Sequence, residues 1–163
     1  VRSLGNAQLS TGELAERLAA AFPGELANLR IQEPDTVIGQ VDRAALKSLA
    51  RRLHDLPETP FEALMLISTV DYRTHFDCVY HLYSLTAARY LELHVELPHG
   101  EPVVETVSDV WPAADWYERE AWDMMGIRFR GHPDLRRILL KDDWIGHPLR
   151  KDYIDTVENH PHV

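Results

Sequence analysis

Residues 89–97 run Arg89-Tyr90-Leu91-Glu92-Leu93-His94-Val95-Glu96-Leu97. Successive side chains of a strand point to opposite faces, so Leu91, Leu93, Val95 and Leu97 share one side and Glu92, His94 and Glu96 the other. A strand written this way lays one face on a core and turns the other to water or to a partner. Two more runs, 62–70 and 76–85, are rich in Leu, Val, Ile, Tyr and Phe, and the breaks at 71–75 and 86–88 are of hairpin length. A short strand over 103–107 follows His99-Gly100-Glu101-Pro102. The middle of the chain is sheet.

Upstream, Ser10-Thr11-Gly12-Glu13 has the spacing of a capping box. Leu14, Leu18 and Phe22 then recur every four residues until Pro23-Gly24 stops the helix. Residues 27–32 and 35–41 read as two short strands. Asp42 is placed to cap a helix over 43–54, with Leu46, Leu49, Ala50 and Leu53 on one face. The order α-β-β-α-β-β-β predicts an α+β domain of two layers, a mostly antiparallel or mixed sheet packed by helices. At 163 residues the chain has the size of one such domain.

Composition excludes several classes. The formal net charge is −9, the wrong sign for a free-standing nucleic-acid binder. The longest strictly apolar run, Ala63 to Ile67, is far short of the about twenty residues of a membrane span. No charged start with an apolar stretch and cleavage site opens the sequence, so no signal peptide is expected and the protein is read as cytoplasmic. A single cysteine, Cys78, rules out an internal disulfide, a four-cysteine zinc site and a self-contained iron–sulfur cluster. No Gly-rich strand-to-helix turn offers a dinucleotide site.

The charge is unevenly spread. Residues 1–127 carry ten basic and twenty acidic side chains, whereas 128–153 carry seven basic against four acidic. The division reads as an α+β body over 1–127 and a basic, irregular C-terminal strap over 128–163, an extension of the same domain that lies on something acidic. The strap holds two His-Pro turns, at His132-Pro133 and His147-Pro148, and two apolar anchors, Ile138 to Leu140 and Trp144-Ile145. Between body and strap, Pro112 and Gly126 bracket a helix of about fourteen residues. At about 100° per residue, Ala114, Tyr117, Ala121, Trp122, Met124 and Met125 share its apolar face, and Asp115, Arg119 and Asp123 form a solvated ladder opposite. Glu118 falls inside the apolar arc, where a carboxylate must find a cation or hydrogen-bond donors, or take up a proton. We expect it buried beside an arginine, one of the strap's being nearest in sequence.

Two stretches make the sequence recognisable. Glu118-Arg119-Glu120, then Asp123-Met124-Met125, then His132 and Arg136-x-Ile138-Leu139 resemble the signature of the 30-kDa subunit family of respiratory complex I, the NADH–quinone oxidoreductase of bacteria. Trp144-x-Gly146-x-Pro148-Leu149-Arg150-Lys151-Asp152-Tyr153 resembles the same family, in the right order and separation. The resemblance implies a non-catalytic structural and assembly subunit of the hydrophilic arm of a proton-translocating NADH–quinone oxidoreductase. It implies no catalytic, cofactor or metal site in this chain, with iron–sulfur clusters, quinone and FMN carried by partner subunits. The partners implied are the cluster-bearing and quinone-site subunits, with no nucleic acid, and membrane contact only through the complex, at the cytoplasmic face. The residues it marks as partner-binding or strap-anchoring are Glu118, Arg119, Glu120, Asp123, His132, Pro133, Arg136, Arg137, Trp144, Pro148, Leu149, Arg150, Lys151, Asp152 and Tyr153.

The family is shared with membrane-bound hydrogenases and with dehydrogenases fed by ferredoxin or a deazaflavin, so the donor stays open. A stand-alone acid/base enzyme using Glu118 or Glu120 with His132 is the remote alternative. Three expectations concern the strap. With few periodic contacts it is mobile until partners dock. Residues 150–152 are extended, Arg150 and Asp152 engaging one surface and Lys151 another. Reversing the charge of Arg150 leaves the free chain's stability nearly unchanged. The polar sheet face is expected to join the strap in docking.

Overall fold

The computed structural model describes residues 9–156; the last part of the expected strap, 157–163, lies outside the described residues. Helix α1 (Thr11–Ala21) opens with the capping box in full: the Ser10 side chain accepts from the Glu13 N–H, and the Glu13 carboxylate accepts from the Ser10 N–H at 2.8 Å. Strands β1 (Ala27–Gln32) and β2 (Thr36–Gln40) follow, then helix α2 (Leu46–His54). Asp42 caps the turn that precedes α2, accepting from the Ala44 N–H at 2.8 Å; the helix itself starts three residues later than its sequence suggests, at an Ala45 cap without a side-chain bond.

Strands β3 (Ala63–Asp71), β4 (His75–Ser84) and β5 (Arg89–Pro98) form an antiparallel meander. The sheet runs β1-β2-β5-β4-β3, and its only parallel pair, β2 with β5, makes it mixed. The alternation of β5 is realised: Leu91, Leu93, Val95 and Leu97 are fully buried and meet Leu82, Tyr80, Cys78 and Phe76 across β4. All three helices pack on that face, Leu14 and Leu18 from α1 and Leu46, Leu49, Ala50 and Leu53 from α2 joining one cluster with Ala121, Met124 and Met125 of the third. The opposite face carries no helix among the described residues.

Helix α3 (Ala114–Met125) is shorter than expected because residues 112–113 form a turn before it. Gly126 ends it at φ +74°, and a Cβ there would lie 2.6 Å from the His147 ring, so both backbone angle and crowding require glycine. The strap does not begin as irregular chain. Its first residues form β7 (Arg128–Arg130), which pairs in parallel with β6 (Val103–Glu105), two residues shorter than the run predicted.

Leu93→Ala should cost about 2–5 kcal/mol in denaturant unfolding, since it leaves a cavity in a closed core. Glu96→Ala, three residues on and exposed on the other face, should change stability by less than about 0.5 kcal/mol.

Candidate functional site: the strap and its anchors

Two carboxylates on α3 take opposite parts. Glu118 is fully buried, as its place in the apolar arc requires, but its partner is not an arginine. Its oxygens accept from the Thr106 hydroxyl and from the Val107 N–H (2.7 Å), groups of the segment between β6 and α3, while His132 Nε2 stands 4.0 Å away. Donors rather than a cation satisfy it, because the strap arginines are engaged elsewhere. Burial pushes its pKa up from 4.5 to about 7 against the pull of the Thr106 and Val107 hydrogen bonds.

Asp123 is the strap's anchor. The solvated ladder expected for Asp115, Arg119 and Asp123 does not exist: Arg119 and Asp123 are buried, since the strap crosses the side of α3 that the helical angles assign to water. One Asp123 oxygen accepts from three consecutive amides, Ile138 (3.1 Å), Leu139 (2.9 Å) and Leu140 (3.1 Å). The other accepts from Arg137 Nη1 at 2.6 Å. Burial alone would raise this carboxyl, but the Leu139, Leu140 and Ile138 amides and the Arg137 guanidinium hold it below the usual range. Arg137 in turn donates to the Trp144 and Gly146 carbonyls, tying the second half of the strap to the first. Arg119 reaches the Arg136 and Arg137 carbonyls at 3.3 and 3.4 Å, with Trp116 against its guanidinium.

Both His-Pro turns dock on α3. His132 Nδ1 accepts from the Asp134 N–H (3.0 Å), leaving Nε2 to face the Asp115 carbonyl (3.2 Å) and carboxylate (3.1 Å). His147 meets the Asp123 carbonyl at 3.0 Å, and burial lowers its pKa. The Leu149 N–H reaches the Met124 carbonyl at 3.1 Å, and the Tyr153 ring closes over Gly146. Pro133 and Glu120 are exposed, Pro148 is half-buried, and Arg136 pairs locally with Asp134 at 2.8 Å.

Residues 150–152 correct two expectations. They are not extended: the Arg150 N–H bonds the His147 carbonyl and the Tyr153 N–H the Arg150 carbonyl, making consecutive turns. Arg150 lies on the body, over the Phe76 ring (4.9 Å) and donating to the His99 carbonyl (3.3 Å), with Asp152 3.9 Å away. Reversing its charge would put a carboxylate on an aromatic face, so the free chain should lose stability after all. The Lys151 side chain is exposed, but its N–H donates to Asp71 at 2.8 Å. Asp71 is an anchor that the sequence reading missed. It ends β3 in register with Phe76, a core-side position where an acid needs partners, and that was the available signal. The Lys151 and Arg73 N–H groups offset its burial and keep its pKa low. The strap is therefore held by polar anchors, to which apolar periodicity is blind.

Asp71, His99 and Asp152 offer three ligand atoms within 4.8 Å of one another. Both Asp71 oxygens serve backbone amides and the Arg150 guanidinium borders Asp152, so the arrangement suits a strap anchor better than a cation. Cys78 is buried, and its thiol pKa is raised by desolvation.

A sheet-and-helix body crossed by an anchored strap defines a domain built to present one long segment on a fixed surface. The chain belongs to the family of the respiratory-chain NADH dehydrogenase 30 Kd subunit, whose profile matches residues 39–159. It is 44% identical over 149 residues to the NADH-quinone oxidoreductase C subunit of Acidothermus cellulolyticus, spanning 86% of this chain and 77% of that one. Its fold is similar to a trypsin-resistant fragment (1-134) of Nqo5, at TM-score 0.65 and 28% identity over 75% of this chain and 98% of the fragment. It is also similar to a chain of the archaeal membrane-bound sulfane sulfur reductase, at TM-score 0.77 and 21% identity over 88% of this chain and 85% of that one, a likeness of fold alone. As a family member it is a subunit of a multi-subunit complex I-type oxidoreductase, and its partners are other subunits of that complex. No helix among the described residues is long and apolar enough to cross a membrane.

Two outcomes test the anchors. A carboxyl near 7 in the fold and 4.5 unfolded binds its proton more tightly when folded, so stability should fall by roughly 3 kcal/mol as pH rises from 4.5 to 7 and then level off. Glu118→Gln should flatten that slope in denaturant titrations run from about pH 5 to 8. Asp123 and Asp71 act with the opposite sign, stabilising above their unfolded value of 3.8 and failing as pH drops through it. Asp123→Ala takes the charged acceptor from the half-buried Arg137 and from the 138–140 amides, and should cost about 3–5 kcal/mol. Its amide hydrogen exchange should speed up at 138–140 while β5 stays protected.

Proposed function

We propose that this chain is a scaffold of the hydrophilic arm of a complex I-type NADH–quinone oxidoreductase, with no active site of its own. On this reading it holds together subunits that carry iron–sulfur clusters, FMN and the quinone site, and it reaches the membrane, on its cytoplasmic face, only through them. One observation carries the reading: the strap is tied to the body through backbone amides, Arg137, His147 and Arg150, yet holds four large aliphatic side chains outward. Leu139, Ile145, Leu149 and Ile154 are 62, 56, 57 and 76% exposed, on backbone whose neighbours are tied to α3 and to Asp71. Large aliphatics held outward together on a fixed loop suit burial against a partner.

The candidate acid/base groups support the scaffold over the remote enzyme reading. Glu118 is enclosed and its oxygens are occupied by Thr106 and Val107; Glu120 is exposed and on a different side of α3 from His132's contacts with Asp115. A second reading, an equivalent subunit of a related membrane-bound oxidoreductase with another donor, draws on the fold shared with the sulfane sulfur reductase chain. Assaying the purified native complex with NADH against reduced ferredoxin or hydrogen separates the two.

Leu149→Asp and Ile145→Asp together should leave the melting temperature of the free chain within about 2 °C, because both residues are more than half exposed. They should lower the yield of assembled complex at least tenfold, with unchanged turnover per complex that does assemble. Full assembly with slow turnover would refute the scaffold.

A further inference from the structure

The face of the sheet opposite the helices has its own chemistry. Register places Arg30 on β1, Ile38 and Gln40 on β2, Glu92, His94 and Glu96 on β5, and Asp77, Val79 and His81 on β4 toward that side. Three carboxylates stand there against one guanidinium. The centre is tied into pairs: His94 Nδ1 donates to Asp77 Oδ2 at 2.8 Å, His81 lies between Ser68 (3.1 Å) and Glu92 (3.6 Å), and Gln40 donates to Glu96 at 3.0 Å. A cleft of about 300 Å³ opens beside them, lined by Arg30, Ile38, Gln40, Asp77, His94 and Glu96 among others.

Two residues lining this cleft, Asp77 and His94, each carry a buried side-chain atom without a hydrogen-bond partner among the described residues. Asp77 is 8% exposed, and its Oδ1 makes no hydrogen bond. With Nδ1 committed to Asp77, His94 Nε2 is also unmatched among the described residues. Buried carboxylate oxygens are normally satisfied, so the unmatched Asp77 Oδ1 on an acidic face marks a place where a donor belongs. The exposed rim gives way easily, since Glu96 is held by a neutral amide that a cation would outcompete.

We propose that this sheet face is a second docking surface, which seats a basic segment of a neighbouring subunit with an arginine or lysine entering the cleft between Asp77, His94 and Glu96. Charge complementarity selects that occupant, since the face repels an acidic segment or a nucleic acid and two acidic copies of it repel each other. The strap lies on α3 and at the His99 end of the sheet, on the helix side. The chain is then held from two sides, as a spacer. This rests on the scaffold reading only in taking the neighbour to be another subunit of the complex; the strap plays no part in it.

The test uses the native complex. With p-benzoylphenylalanine in place of Glu92, irradiation should join this chain to a peptide of a different subunit that contains an arginine or lysine. Glu96→Arg should reduce incorporation into the complex at least tenfold while leaving the melting curve of the free chain unchanged, and reversing the charge of the mapped partner residue should restore it. A cross-link to a second copy of this chain, a cross-linked peptide without a basic residue, no cross-link, or wild-type incorporation of Glu96→Arg would each overturn the proposal. The same photo-reactive residue in place of Leu149 reports on the strap separately, so loss of that signal alone counts against the scaffold reading and not against this one.

Discussion

One carboxylate decides where a fifth of this protein goes. Asp123 accepts from three successive strap amides and from Arg137, and Arg137 carries the tie on to Trp144 and Gly146. Three N–H groups converging on one oxygen make a concave anion site of the kind that loops build for phosphates, here filled from within. Enclosing a charge so completely is unfavourable unless nearly every lone pair is used, and at Asp123 they are. The irregular backbone of the strap thereby acquires fixed partners without forming helix or sheet.

Glu118, five residues earlier on the same helix, shows the other solution. It has two donors and no paired cation, and burial pushes its proton affinity up, whereas Asp123 with four donors is pulled down. The difference is in the number and charge of donors, since both side chains are fully buried. Helix α3 thus faces the sheet with Met124 and Met125, the β6 segment with Glu118 and the strap with Asp123. It is covered on three sides, and that is why Glu118, Arg119 and Asp123 are not on its surface.

That enclosure also sets what could be read from the chain. The capping box at Ser10, the alternation of β5 and the glycine stop at Gly126 are local rules, and they appear in the fold almost residue for residue. Strand pairing followed from hairpin-length gaps; the parallel β2–β5 contact came from no such rule and needed the fold. The angular division of α3 into wet and dry sides failed at Arg119 and Asp123 because it assumes one neighbour per helix. For Glu118 the periodicity gave burial correctly and the partner wrongly, since spacing says nothing about which donors a loop will aim inward. Arg150 was misplaced for a related reason: Pro148-Leu149 led into turns, and only the Phe76 ring and the His99 carbonyl, far off in sequence, explain where its side chain lies.

The bond from the Lys151 amide to Asp71 joins residues 80 apart in the chain. Closing so long a loop is entropically slow compared with forming hairpins or helices, so this contact belongs to the late stages of folding. During synthesis the meander of β3, β4 and β5 can assemble while Asp71 still lacks its amide, and the carboxylate must wait in solvent for a segment not yet made. Forming this contact therefore buries a charge and fixes the chain beside Leu149 at the same moment. A nascent or misfolded chain would lack the finished surface, and neighbours that bind it would in effect be selecting completed copies.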